Sequence, residues 1–469
     1  MAVSARPVSV ASANQTSFDR RLIAPMVLGS ALNPVNSSII AVSLVPIGQA
    51  FDASPARTAW LVSALYLVTA IGQPVAGRLV DVLGPRRLYL VGTALVGLAG
   101  VIGLVAQDLG TLVAARVVLG VGTCAGYPTA MYLIRSEERR TGAASPAGVL
   151  TLLAVTGQTI AVLGPTLGGL LIGVAGWRST FAVNIPLAVA CLWLGRRRLP
   201  RHEALRDEGA EPVRFDLAGA LLFGVGLVTG LLFLMERRAD LWPLLAVAAV
   251  SLVLFVYVEL RFTGPFVDLR LLGANPALVA TYARHLLAAV VTYAFIFGFT
   301  QWLQETREME PGVAGLMSVP MFATAILVSL LTGRRPQIRG KLVVGATVQV
   351  VVSALLLVVD ARTPVWALAL LALAFGIPQG LIGLANQNAV YHQAPPERIA
   401  SSAGLLRTAM YVGAVVAATA TGTFLHAGAT TSGLHGLGAC ALVAAVLGLV
   451  ITLADRSLGR VGRSPRGQE

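Results

Sequence analysis

At 469 residues, 56% of them hydrophobic and only 12% charged, the chain is too apolar for a soluble protein of several domains. Its formal charge of +13 would suit a nucleic-acid partner, but the 35 basic residues punctuate apolar runs instead of forming an aromatic-bearing patch, so no such partner is expected. Cys124, Cys191 and Cys440 fall inside apolar runs, with neither metal-ligand spacing nor a disulfide framework, and neither metal nor cofactor is expected.

Residues 1–21 lack the apolar core of a signal peptide and are expected to form a cytoplasmic tail. Beyond them lie about fourteen apolar runs of the length, roughly twenty residues, that crosses a bilayer. Six of these, near 22–48, 57–79, 87–107, 109–134, 146–173 and 178–198, predict an N-terminal six-helix bundle over 22–198. The longest polar break follows. It mixes both signs of charge, leaves no room for a catalytic domain, and reads as a cytoplasmic linker over 199–214. Two further runs, near 215–235 and 241–261, predict an inserted helix pair over 215–261. The last six, near 277–302, 311–332, 339–360, 363–390, 398–426 and 433–454, predict a C-terminal bundle over 277–454, with a cytoplasmic tail at 455–469. The expected fold class is therefore an all-α integral membrane protein of two six-helix bundles plus one helix pair.

An even number of spans puts both termini on one side. If that side is the cytoplasm, the inside segments hold 26 of the 35 basic residues and the outside loops six, as the retention of basic loops in the cytoplasm demands. The expected location is a bacterial inner membrane, crossed many times, with both termini inside.

Gly77-Arg78-Leu79-Val80-Asp81-Val82-Leu83-Gly84-Pro85-Arg86-Arg87 links the second and third runs. Its glycines let two helix ends turn and approach closely, and Asp81 is placed to accept from a neighbouring helix N-terminus or an arginine. Gly77, Arg78, Asp81, Gly84, Arg86 and Arg87 therefore form a candidate conformational latch. Gly333 to Lys341 copies the spacing 256 residues later, with Gln337 where the first copy has Asp81. Such parallel repeats belong to transporters whose binding site lies at the repeat interface near the midplane.

This loop resembles the signature loop of the major facilitator superfamily. Arg116, Gly120 and Gly122 resemble that superfamily's fourth-helix pattern, and Gly164, Pro165, Gly168 and Gly169 resemble the fifth-helix motif of its antiporters. Trp177-Arg178-Ser179-Thr180-Phe181, fourteen spans rather than twelve, and the segments about Glu259, Asp268 and 303–320 are similar to its fourteen-helix drug:proton antiporter branch. The resemblance implies a monomeric secondary transporter with membrane lipids around it. It would export a small amphipathic drug or metabolite by alternating access, coupled to protons, with an antiporter-type kink at Pro165.

The sequence departs from that pattern where proton coupling would be expected. The first span, LNPVNSSIIAVSLVP, carries Asn33 and Asn36 but no carboxylate. Three cations, Arg116, Arg284 and Arg407, lie within spans without obvious acids, which favours an anionic or zwitterionic substrate. The candidate substrate or ion pathway comprises these three with Asn33, Asn36, Gln158, His285, Tyr293, Asn386 and Tyr411. The alternative reading is an uptake permease or facilitator for a polar or anionic solute that uses no first-span carboxylate. The five histidines are scattered and no hydrolase, metalloprotease or phosphate-loop motif occurs, so no catalytic residue and no enzyme is expected.

Overall fold

Lipid offers no hydrogen-bonding partner, so each apolar run must satisfy its backbone internally and becomes a helix. The computed structural model describes residues 18–53, 55–58, 60–141, 147–200, 216–236, 239–262, 265–333, 335, 337–425 and 428–459. Residues 1–17, 201–214 and 460–469 of the expected tails and linker, with Arg334 and Pro336 of the repeated turn, lie outside the described residues. Among those described there are 14 helices long and apolar enough to cross a membrane.

In order these are α1 Ile23–Ala50, α2 Trp60–Leu83, α3 Pro85–Val105, α4 Leu109–Thr141, α5 Ala147–Ala175, α6 Ser179–Arg198 and α7 Leu217–Glu236. They continue as α8 Trp242–Glu259, α9 Pro276–Glu305, α10 Val313–Gly333, α11 Ile338–Val358, α12 Val365–Gln393, α13 Ile399–Phe424 and α14 Thr431–Ala454. The joints follow local chemistry. Gly84 takes a left-handed φ of 81° and Pro85 occupies the first helical position of α3, so α2 stops and α3 starts within one residue. Asp108 caps α4, where the hydroxyl and amide of Thr111 hold its carboxyl below the usual range.

The two halves pack by one plan. In the first, α1 lies on α5, α2 on α4, and α3 on α4 and α6; in the second, α9 lies on α13, α10 on α12, and α11 on α12 and α14. Across the divide α2 meets α13 and α10 meets α5, so the cross-half contacts obey the same two-fold relation. The inserted pair α7 and α8 packs on itself, and α7 reaches α2 and α13.

The ends of the molecule differ. At the end carrying the described termini, one apolar core runs through both halves, from Met26, Tyr89 and Leu133 to Val390, Tyr391, Ile399 and Leu406. Towards the far end the cores are separate, one around Ile47, Leu112 and Phe181 and one around Phe295, Trp302 and Leu368. The halves are thus welded at one end and split at the other. Exposed apolar side chains such as Val105, Leu170, Val174 and Trp366 supply the surface a bilayer would cover.

Candidate functional site

A cavity of about 960 Å³ fills the split between the halves. Its floor lies near Ser30, Leu153, His285 and Arg407, six to nine residues inside the terminus-end starts of α1, α5, α9 and α13. Its lining climbs to Leu44, Thr166, Gln304 and Gly315 at the far end. Most of the wall is apolar, from residues such as Val162, Ile296, Phe297 and Met410. Among the described residues no aspartate or glutamate lines it, and Arg407 is its one formally charged member.

α9 contributes a continuous stripe from His285 through Tyr293, Ile296, Phe297 and Gln301 to Gln304. A regular helix would drift off this face by its upper end. One wide π turn at Phe295–Phe299 takes up the extra residue, and Phe295 stacks on Phe299 at 4.7 Å and on Phe375 at 3.9 Å behind it. On the opposite wall Pro165 lines the cavity, while Gly164 and Gly168 bring α5 onto Ser38, Ile39 and Val42 of α1. Gly169 faces open space.

The ten pathway candidates separate into two sets. Asn33, Gln158, His285, Tyr293, Arg407 and Tyr411 line the cavity. Tyr411 of α13 donates its hydroxyl to Asn33 Oδ1 of α1 at 2.7 Å, joining the halves, and its ring lies 5.8 Å from that of Tyr66. The Arg407 guanidinium lies 4.2 Å over the Tyr127 ring and reaches Met410 Sδ at 3.9 Å. Asn36, Arg116, Arg284 and Asn386 do not line the cavity. Asn36 exchanges amide hydrogen bonds with Asn184 of α6 at 2.7 and 2.9 Å. Asn386 is fully buried, with neither amide atom hydrogen-bonded.

Two of the three arginines need correction as free charges. Arg284 does have an acid: its guanidinium donates to Asp455 Oδ2 at 2.8 Å, both groups being buried just beyond α14, and to Thr281 at 2.7 Å. Asp455 escaped notice because it lies outside the spans. Arg116 meets no acid among the described residues, but its fork is engaged: Nε donates to the Leu61 carbonyl at 2.8 Å and both terminal nitrogens donate to the Asn36 carbonyl at 3.3 Å. Only Arg407 faces the cavity.

Four lining glutamines went unremarked in the sequence, Gln301, Gln304, Gln349 and Gln379. Their signal was present, since amides are rare in apolar runs, and Gln379 lies two helical turns before the candidate Asn386.

The terminus end closes the cavity. A side chain on Gly77 would meet Ala400 O at 2.5 Å and Ser401 Cα at 2.6 Å, so α2 and α13 touch backbone to backbone here. Ion pairs from Arg139 to Glu397 at 3.2 Å and from Arg398 to Asp268 at 3.4 Å, and a hydrogen bond from Tyr391 to Glu138 at 2.5 Å, gather round this seam. Arg78 lies 3.9 Å from Asp81 on the same helix, and neither Asp81 oxygen accepts a hydrogen bond. Arg86 instead donates to the Arg196 carbonyl at 2.8 Å. At the foot of the inserted pair, Asp216 Oδ2 and Glu259 Oε1 each lie 2.5 Å from the point a Cβ on Gly219 would occupy, and both residues are 1% exposed.

Two six-helix bundles built on one plan and packed around a central cavity define the architecture of a membrane transporter. Residues 26–418 match the Major Facilitator Superfamily, and the chain belongs to it. It is 29% identical over 438 residues, 92% of this chain and 95% of the other, to the uncharacterized MFS-type transporter YwoD of Bacillus subtilis (strain 168). It is 32% identical over 317 residues, 65% of this chain and 57% of the other, to the multidrug resistance protein Stp of Mycobacterium tuberculosis (strain CDC 1551 / Oshkosh). The crystal structure of the human organic anion transporter MFSD10 (TETRAN) superposes with a TM-score of 0.66 over 92% of this chain and 98% of that one; at 15% identity it shows the shared fold.

Proposed function

We propose that this transporter exports a small amphipathic molecule by alternating access, driven by a proton gradient. The observation that carries this reading is the large cavity between the repeats, apolar with scattered amides, closed at one end by the weld and reaching the other. Rocking the halves about the Tyr411–Asn33 region would split the weld at Gly77 and expose the same cavity to the terminus end. The resemblance to Stp, named a multidrug resistance protein, supports efflux as the direction.

The same proposal assigns the bundles to 22–198 and 277–454, the linker to 199–214 and the inserted pair to 215–261. It places the chain in a bacterial inner membrane as a monomer, both termini cytoplasmic, where the structure's opening would face outward. The turn Gly77 to Arg87 acts as the latch, and Gly164 to Gly169 shapes the outer half of the cavity. An uptake permease or facilitator for a polar or anionic solute is the second reading, favoured because no carboxylate lines the cavity among the described residues.

Proteoliposomes with an imposed pH gradient separate the two. Export coupled to protons gives dye movement against its gradient that collapses with an uncoupler. Movement only down the solute gradient, unchanged by the uncoupler, would reject the export reading in favour of facilitated uptake.

A further inference from the structure

We propose that the cavity floor is an anion subsite centred on Arg407, and that the transported molecule therefore carries an acid group on an apolar body. This rests on the cavity being the transport route. Of the three arginines within spans, Arg284 is neutralised by Asp455 and Arg116 is engaged by two carbonyls behind the wall. Arg407 alone presents its charge to the cavity, and among the described residues no carboxylate lies within ion-pair distance of it. Its guanidinium meets Tyr127 and the Met410 thioether, which leave most of its five donors unspent.

Two further groups beside the floor await a partner. Gln387 lines the cavity at 8% exposure, and its buried Oε1 accepts no hydrogen bond; turning the amide offers two donors instead. His285 lines the same floor with a buried, unpartnered Nδ1. A guanidinium in an apolar chamber without acids raises the local potential, so a cationic group there pays repulsion as well as desolvation. A carboxylate, sulfonate or phosphate gains a planar, two-pronged contact with the guanidinium. The upper walls, around Ile296, Phe297 and Val162, take the apolar body.

The test uses the full-length protein in nanodiscs of phosphatidylcholine and one naphthalene fluorophore in three forms: sulfonate, trimethylammonium and neutral sulfonamide. Wild type is expected to bind the sulfonate about tenfold more tightly than the ammonium form, or about 1.4 kcal/mol. Arg407→Gln should bring the two within about twofold, and Arg407→Lys should keep most of the preference. Equal binding of the sulfonamide by wild type and Arg407→Gln shows that the cavity of the variant is intact. Retained sulfonate preference in Arg407→Gln, or preference for the ammonium form in wild type, overturns the proposal. Displacement of the sulfonate by phosphatidylglycerol in the discs would seat a lipid headgroup on Arg407 and overturn the small-molecule assignment. Binding of none of the three forms by wild type would reject the cavity as the route, and the subsite with it; binding of all three with equal affinity rejects the subsite alone.

Discussion

Gly77 and Gly333 stand at equivalent places in the two repeats, and each marks the point where its half leans on the other. Gly77 near the end of α2 touches the first turn of α13, and Gly333 at the end of α10 touches Thr151 in the first turns of α5. The two contacts differ in what they meet: backbone at Ala400 and Ser401 for Gly77, a side chain for Gly333. A side chain can turn away and a helix backbone cannot. Gly77→Val should therefore weaken the closed seam by about 1–3 kcal/mol and Gly333→Val by less. Spin labels on cysteines replacing Arg139 and Glu397 report it: Gly77→Val should add a longer-distance population, and an unchanged distribution would contradict the seam.

The Arg284–Asp455 pair ties α9 to the segment following α14. Removing one partner leaves a buried charge, so Arg284→Leu or Asp455→Leu alone should cost about 3–5 kcal/mol. Removing both should recover most of that loss. Thermal unfolding of the four proteins in detergent measures the coupling, and additive single effects would show that the two do not interact.

Arg116 fastens α4 to carbonyls of α1 and α2, outside the cavity. Arg116→Met and Arg116→Lys should each lower stability by about 1–3 kcal/mol, because a lysine cannot reproduce the three-point fork. Neither should change which substrate charge is preferred. A variant with unchanged melting but altered charge preference would put Arg116 in the pathway after all.

Asp216 and Glu259 crowd the foot of the inserted pair, and each keeps one buried oxygen without a hydrogen bond. Two close, desolvated carboxylates repel when both are ionised. Glu259→Gln should raise the melting temperature at pH 8 by a few degrees, on the order of 1 kcal/mol. A lower melting temperature at that pH would mean that Glu259 pairs with a cation.

The helices were readable from the sequence because twenty apolar residues leave a chain in lipid little choice. The division of the polar residues was not, because it turns on helix facing. Arg284 and His285 are neighbours, about 100° apart around α9. One points to Asp455 and the other into the cavity. Asn33 and Asn36 sit three residues apart on α1, yet Asn33 takes the Tyr411 hydroxyl across the divide while Asn36 turns to Asn184 within its own half. Nothing in either span states which neighbour will be there. Likewise Gly340 repeats Gly84 in spacing but lies inside α11, since that helix already begins at Ile338. The copy keeps the interval, but its second glycine no longer marks the helix start.

Gly383 gives direct access to the central claim that substrate passes through the cavity between the halves. It lines that cavity, and a Cβ there meets nothing within 4 Å, so Gly383→Trp fills the chamber without forcing the backbone. Proton-driven dye transport into everted vesicles is the measurement. The expected result is a melting temperature close to wild type with transport reduced at least about tenfold. Wild-type transport by a correctly folded Gly383→Trp protein would contradict the central route.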